Sequence, residues 1–381
     1  MKLTENQTMI VNMVRDLAEK EFRPFAAHWD EKEEFPAQNV PKLVDAGLLG
    51  ILAPKEYGGA ELTVLDAALV VREIAKVCRA TCTIVQIQNA IGALLMEHAS
   101  PEIQKKYVPR IIAGDALGAL AITEADAGSS LQDMKALAVE QDDGYLLNGI
   151  KHFVTNAPIA QIYIVFTYVR NKEGVQGIGT MLVDRNTPGV SCTKIDRFMG
   201  LRGAPHGEIV FENCLVPKEN VISGGDARGL REVMTGFNRE RCMNAAVCIG
   251  IGRAAVEESA KYLVERTIGG KKLANFQGLQ WILADMSIKV EAAEALLFDT
   301  LADAEGGRRI SGLRASRAKT FANEMSFEVA HQAMQIFGGY GYNTEFPIER
   351  LLRDARCYQI GAGTTQVLRN TIAQQILRQY S

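Results

Sequence analysis

The sequence predicts an α+β chain in three successive parts: helical, then β, then helical again. Three observations carry this. Up to about residue 115 apolar residues recur at helical spacing. From about 118 to 225 short runs rich in Val, Ile, Tyr and Phe alternate with Asn-Gly, Gly-Val and Asn-Thr-Pro-Gly turns. From about 227 onward come long windows rich in Ala, Met, Leu and Glu, almost free of proline. The 381 residues, 47% of them hydrophobic, suffice for two or three domains. The expected boundaries are 1–117 (N-terminal α-helical domain), 118–226 (middle antiparallel β domain) and 227–381 (C-terminal four-helix bundle).

In the first part Thr4-Glu5-Asn6-Gln7 reads as a capping box, and Thr63 opens the helical stretch VLDAALVVREIAKV. Ser100-Pro101-Glu102 supplies a cap, a first-turn proline and a first-turn acid. In the second part YLLNGIKHFV, QIYIVFTYV, GIGTMLV and GEIVFENCLV are strands with no helical window between them, so a parallel βαβ sheet is excluded. In the third, windows 228–264, 276–303 and 313–336 are the long bundle helices.

Composition narrows the function. With 42 basic and 45 acidic residues and a net charge of −3, nothing favours binding to nucleic acid or an anionic membrane. No uninterrupted apolar stretch is long enough for a bilayer span, and the first residues read as an amphipathic helix in place of a signal peptide. Seven scattered cysteines with no C-x-x-C pair read as buried free thiols of a cytoplasmic protein, and five dispersed histidines predict no metal site.

Several motifs carry two readings. Gly250-Ile251-Gly252 imitates a dinucleotide fingerprint but follows a helical segment, so close helix packing is the better account. Gly338-Gly339-Tyr340-Gly341-Tyr342 and Gly361-Ala362-Gly363-Thr364-Thr365 read equally as backbone that approaches a ligand and as helix stops. Arg266 and Lys271-Lys272 flank a double glycine, as either a diphosphate loop or a solvated turn. Glu240, between two arginines on a helix, is by spacing a solvated charge; under a concave site it would be a general base.

Six ordered motifs over about 220 residues resemble the acyl-CoA dehydrogenase family. They are Thr123-Glu124 through Ala127-Gly128-Ser129, Asn148 to Asn156 (NGIKHFVTN), Gly200-Leu201-Arg202-Gly203, Phe211-Glu212 with Val216-Pro217, Phe276-Gln277 to Met286, and Gln335 to Tyr342 (QIFGGYGY). The resemblance implies an FAD enzyme that desaturates an acyl-CoA across Cα–Cβ, usually as a homotetramer (a dimer of dimers), with electron-transfer flavoprotein as the electron acceptor. It implies that Thr123, Phe153 and Thr155 line the flavin ring and that Ser129 sits near the pyrophosphate or CoA. Arg266, Gln277, Gln335 and Gly339 would reach an FAD held mainly by a neighbouring subunit, and Thr364 and Gln366 would touch FAD from the last helix. Phe237, Asn238 and Arg241 would border the CoA and acyl pocket, and the backbone N–H of Ala362 would bind the thioester oxygen.

The chain departs from the family's commonest pattern. Where most members carry the base as Glu in a Y-E-G-T loop, this chain has Gly361-Ala362-Gly363-Thr364. Glu240, however, occupies the helix position used as base by the isovaleryl-CoA and long-chain branches, so the resemblance makes Glu240 the catalytic base. Gly361 in place of tyrosine would widen the pocket, which favours a short branched or cyclic acyl group. Gln86 and Asn89, in a polar segment at 83–89, either bind a polar acyl substituent or face away. Ser130 and Gly269 replace the family's usual Asp and aromatic residue, and the second change is expected to loosen FAD. Alternatives are a dehydrogenase or oxidase acting on an acyl or aminoacyl group tethered to a carrier protein, and a redox-silent member like the desulfinases of sulfinoacyl-CoA. The desulfinase branch lacks the base and uses an arginine where Thr83 stands here. A non-catalytic interaction protein on the same scaffold is the reading from a different class.

Overall fold

A computed structural model describes residues 3–304 and 308–380, with residues 227–234 described as helical backbone alone. Thr4 caps α1 (Glu5–Leu17) through the reciprocal box with Gln7, and a π-helical turn over 18–22 joins it to α2 (Arg23–Lys32). After the short α3 (Asn39–Asp45), Thr63 and Asp66 form a second capping box at α4 (Val64–Ala75), which is buried on every side. Cys78 precedes α5 (Arg79–His98), and Ser100 caps α6 (Pro101–Ile112), whose first residue is the expected proline.

The middle part is one eight-stranded sheet. Its strands are β1 (Gly118–Ala121), β2 (Leu137–Glu140), β3 (Gly144–Thr155), β4 (Ile162–Asn171), β5 (Gly174–Asp184), β6 (Val190–Asp196), β7 (His206–Pro217) and β8 (Val221–Ser223). The order is β6-β7-β3-β2-β4-β5-β8, with β1 also on β4. The expectation of an antiparallel sheet needs one correction, because β1 and β2 both pair with β4 in parallel. The chain crosses from β3 over β2 to reach β4, and a strand antiparallel to β3 then runs parallel to its other neighbour. β1 and β2 lie in line along β4, against 162–165 and 168–170, and the segment 122–136 loops out between them. That segment carries Thr123 and Ser129.

Glu124 explains how the loop is held. Its carboxylate accepts from the backbone N–H of Lys135 (2.6 Å) and Ala136 (3.1 Å) and from the fully buried Lys151 ammonium on β3 (2.6 Å). Lys151 also donates to the Ile122 carbonyl (3.0 Å). Next to it β3 carries an extra residue against β7. Phe153 there has φ +56°, unusual for a bulky residue, and its ring is 56% exposed.

Helices then return as α7 (Ala227–Glu265), the hairpin β9 (Thr267–Ile268) and β10 (Lys271–Lys272), α8 (Gln277–Ala302), α9 (Gly312–Phe337), α10 (Ile348–Tyr358) and α11 (Thr365–Leu377). The double glycine is the hairpin's two-residue turn, with φ +56° and +78° at Gly269 and Gly270. Gly250 and Gly252 are packing glycines. A Cβ at Gly250 would stand 2.4 Å from the Arg72 carbonyl oxygen of α4, and one at Gly252 would meet Met325 and Val290 at 3.0 Å. Helices α4 and α7 therefore approach backbone to backbone at Gly250, and the first and third parts share one hydrophobic core. Arg72 joins Glu73 (2.7 Å) and Glu294, and Glu294 joins Arg253 (2.7 Å), which ties α4, α7 and α8 across that core. All seven cysteines are free, five of them buried.

Candidate active site

α7 presents Phe237, Glu240 and Met243 to a cavity. α4 contributes Ala67 and Val71; α5 contributes Gln86, Asn89, Ala90 and Leu94; Ile51, Leu52 and Leu120 complete the wall. The lining is mostly apolar, and its charged groups lie at two places. One is the rim, where Arg239 pairs with Glu97 beside His98. The other is Glu240.

The two oxygens of Glu240 differ. Oε1 accepts from Gln86 Nε2 (2.6 Å) and from Asn244 Nδ2 (2.9 Å), one helical turn on. Oε2 is buried and, among the described residues, has no hydrogen-bond partner. Burial raises the carboxyl pKa to about 7, against the lowering effects of the Gln86 hydrogen bond, the Lys319 charge and Asn244. A carboxyl held at one oxygen, bare at the other and poised near neutrality has the form of a general base.

The structure brings Glu240, Gln86, Asn89 and Phe237 to this cavity. Gln86 donates to Glu240, so its amide orients the base. Asn89 is a wall and offers substrate no polar group. Its amide nitrogen donates to Leu48 (2.8 Å) and Val85 (2.9 Å), and its oxygen accepts from Ile51 (2.8 Å) and Leu52 (3.4 Å). Asn238 and Arg241 lie outside the cavity wall. Arg241 donates to Asn238 Oδ1 (2.8 Å), whose amide reaches the Ile310 carbonyl (3.3 Å). Gly361 also lies outside the wall; a Cβ there would meet only Cys357, at 3.6 Å or more.

The remaining positions lie outside this cavity's wall. Thr123, whose carbonyl accepts from His152 (2.8 Å), lies beside Phe153 and Thr155 at the β3 bulge, and Ser129 is on the loop between β1 and β2. At the end of the bundle the Arg266 guanidinium sits over the Tyr340 ring (5.2 Å), with Gln277, Gln335 and Gly339 exposed. Thr364 caps α11 by accepting from the Val367 N–H (3.2 Å), and Gln366 is exposed in its first turn. A Cβ at Gly338 or Gly339 would touch nothing within 4 Å, which leaves backbone open to a ligand.

Sequence reasoning missed Asn244 and Lys319. Asn244 stands four residues after Glu240, the helical spacing that places two side chains together. Lys319 interrupts a stripe of buried residues, Ala315, Ala318, Ala322 and Met325, and a cation on an apolar stripe was the available signal.

Comparison with known proteins agrees with this architecture. The family models for the N-terminal, middle and C-terminal domains of acyl-CoA dehydrogenase match residues 4–115, 119–214 and 227–377. An acyl-CoA dehydrogenase of Bacillus subtilis is 38% identical, over 99% of both chains. The cyclohex-1-ene-1-carbonyl-CoA dehydrogenase of Syntrophus aciditrophicus is 37% identical over 99% of this chain and 91% of its own. The solved butyryl-CoA dehydrogenase of Megasphaera elsdenii superposes with a TM-score of 0.94 at 31% identity, covering 99% of both chains. The matched family is one of oxidoreductases, and its helix–sheet–helix order is the one seen here. The chain belongs to the acyl-CoA dehydrogenase family, whose cofactor is FAD.

Proposed function

We propose that this chain is an FAD-dependent dehydrogenase that desaturates a short branched or cyclic acyl-CoA between Cα and Cβ, with Glu240 as the base. The observation that carries the reading is the bare, buried Glu240 Oε2 at an apolar cavity. Gln86 and Asn244 fix Oε1, so Oε2 is the atom that takes the α-proton. Raising the carboxyl pKa to about 7 makes it a stronger base while it stays partly ionised at neutral pH. Among the described residues the apolar walls offer a charged acyl tail no unpaired cation, since Arg239 is paired with Glu97. The N–H of Ala362 is the donor for the thioester oxygen. Relatives that act on a cyclohexene ring support a ring-sized or branched group.

The residues present fit FAD: an exposed aromatic ring at Phe153, open backbone at Gly338 and Gly339, and a helix start at Thr364. Thr123, Phe153, Thr155, Ser129, Thr364 and Gln366 would hold one FAD. Arg266, Gln277, Gln335 and Gly339 would reach the FAD of a neighbouring subunit. When bound, FAD accepts the hydride that leaves Cβ. The reading includes a homotetramer, electron-transfer flavoprotein as acceptor, a cytoplasmic location and domain boundaries at 117/118 and 226/227. Among the described residues no helix is long and apolar enough to cross a membrane.

The test is anaerobic bleaching of the oxidised-flavin band by a panel of acyl-CoAs. Isobutyryl-, isovaleryl- and cyclohexanecarbonyl-CoA are expected to bleach it faster than butyryl- or octanoyl-CoA. Faster bleaching by the straight chains would overturn the substrate class. Bound flavin that no acyl-CoA bleaches would favour the carrier-tethered or desulfinase-like alternative.

A further inference from the structure

Lys319 on α9 is fully buried, and its ammonium spends all three donors on consecutive carbonyls: Gly361 (2.7 Å), Ala362 (2.9 Å) and Gly363 (2.7 Å). Burying a cation is costly, and a helix of this composition has many cheaper ways to fill the space. What the arrangement does to the loop is specific. In a trans peptide the C=O of one residue and the N–H of the next point in opposite directions, and no peptide bond among the described residues is cis. Drawing the carbonyls of 361, 362 and 363 inward therefore turns the N–H groups of Ala362, Gly363 and Thr364 away from Lys319. Among the described residues none of these three N–H groups has an acceptor. The backbone accommodates this with φ +53° at Ala362 and +90° at Gly363. Without its tether, an alanine in the left-handed region would relax. Lys319 also lies close enough to Glu240 for each charge to act on the other.

We propose that Lys319 is a positioning residue: by clamping the 361–363 carbonyls it aims the loop's N–H groups at the thioester oxygen, where negative charge develops as Glu240 removes the α-proton. This rests on the dehydrogenase reading above and adds the residue that makes the donor loop rigid. The clamp works through hydrogen-bond geometry, and its positive end also polarises the same peptides toward anion binding.

The experiment uses the flavin-loaded enzyme and a 3-thia-acyl-CoA, which cannot be desaturated but can lose its α-proton. The resulting enolate is read by long-wavelength absorption against oxidised flavin over a pH series. Lys319→Met is expected to weaken α-deprotonation about 100-fold, a shift of about two pH units in its midpoint, the size of losing an oxyanion donor. Binding of the ligand in its neutral form should change less than threefold. A midpoint that moves less than threefold in equilibrium terms, or a loss of neutral-ligand binding that accounts for the whole effect, overturns the clamp. If Lys319→Met does not retain flavin, Lys319→Gln, which keeps two donors, is judged by the same two criteria. Glu240→Gln run alongside separates the two readings: unchanged proton removal there refutes Glu240 as base, while the Lys319 result is decided by its own variants.

Discussion

Glu124 and Glu240 are both buried carboxylates, and the structure treats them oppositely. Glu124 has a buried ammonium and two backbone N–H donors, spread over both oxygens. Glu240 has two neutral amides on one oxygen and, among the described residues, no hydrogen-bond partner on the other. Satisfying every lone pair fixes a loop between collinear strands; leaving one bare, in a dry cavity, keeps a proton acceptor in reserve. Burial alone makes neither a structural nor a reactive group.

The contrast can be broken most severely at Glu240. Glu240→Gln keeps the shape and both amide contacts in reach, and should lower the rate of flavin reduction by about 10³–10⁴-fold with flavin still bound. Rapid-mixing anaerobic reduction measures it; a loss under tenfold would remove Glu240 from the chemistry. Lys151→Met leaves the Glu124 charge buried and unpaired, and should destabilise the protein by ~3–5 kcal/mol in denaturant titration. The rate per folded molecule should change far less than in Glu240→Gln.

A third prediction follows from pH. Because the Glu240 pKa is raised from 4.5 to about 7, the folded protein holds this proton more tightly than the unfolded chain does. The native stability is then undiminished below pH 4.5, falls as pH rises toward about 7, and is flat above it. Glu240→Gln removes that cost, so its stability advantage should open across that interval to at most ~3 kcal/mol. Over the same interval wild-type flavin reduction should rise with pH to a plateau. An equal advantage at pH 4 and pH 8 would show that Glu240 is not strained by burial. The smallest effect is expected at Gln86→Met. Loss of one donor to the ionised carboxylate should move the rate midpoint to higher pH by about one unit, since such a bond contributes ~1.5 kcal/mol. A downward move would mean that Gln86 does not favour the charged form.

Much of the fold was legible because its signals are local. The capping boxes at Thr4 and Thr63, the proline of α6 and the long bundle windows involve residues within a turn or two of each other. Gly250 could be read as packing because its setting was helical, and a backbone carbonyl of α4 does press on it. The parallel pairing of β1 and β2 with β4 was not legible, since it depends on which strands the chain crosses and not on any strand's own pattern. At the site, Phe237 and Gln86 line the cavity beside Glu240, while Asn238 and Arg241, which the family resemblance suggested, are absent from its wall and bond to each other.

By itself the sequence determined the order of helices and strands, the caps and turns, and the motifs that place the chain in its family. Each of these is written in residues close together along the chain, where propensity and periodicity act. Only the tertiary structure decided the chemistry of the charged groups. Glu240 sits between two arginines in sequence, yet in space it meets Gln86, 154 residues away, an apolar cavity and Lys319. A carboxylate's proton affinity is set by how much water it loses and which donors replace it, and those neighbours are brought together only when the helices pack.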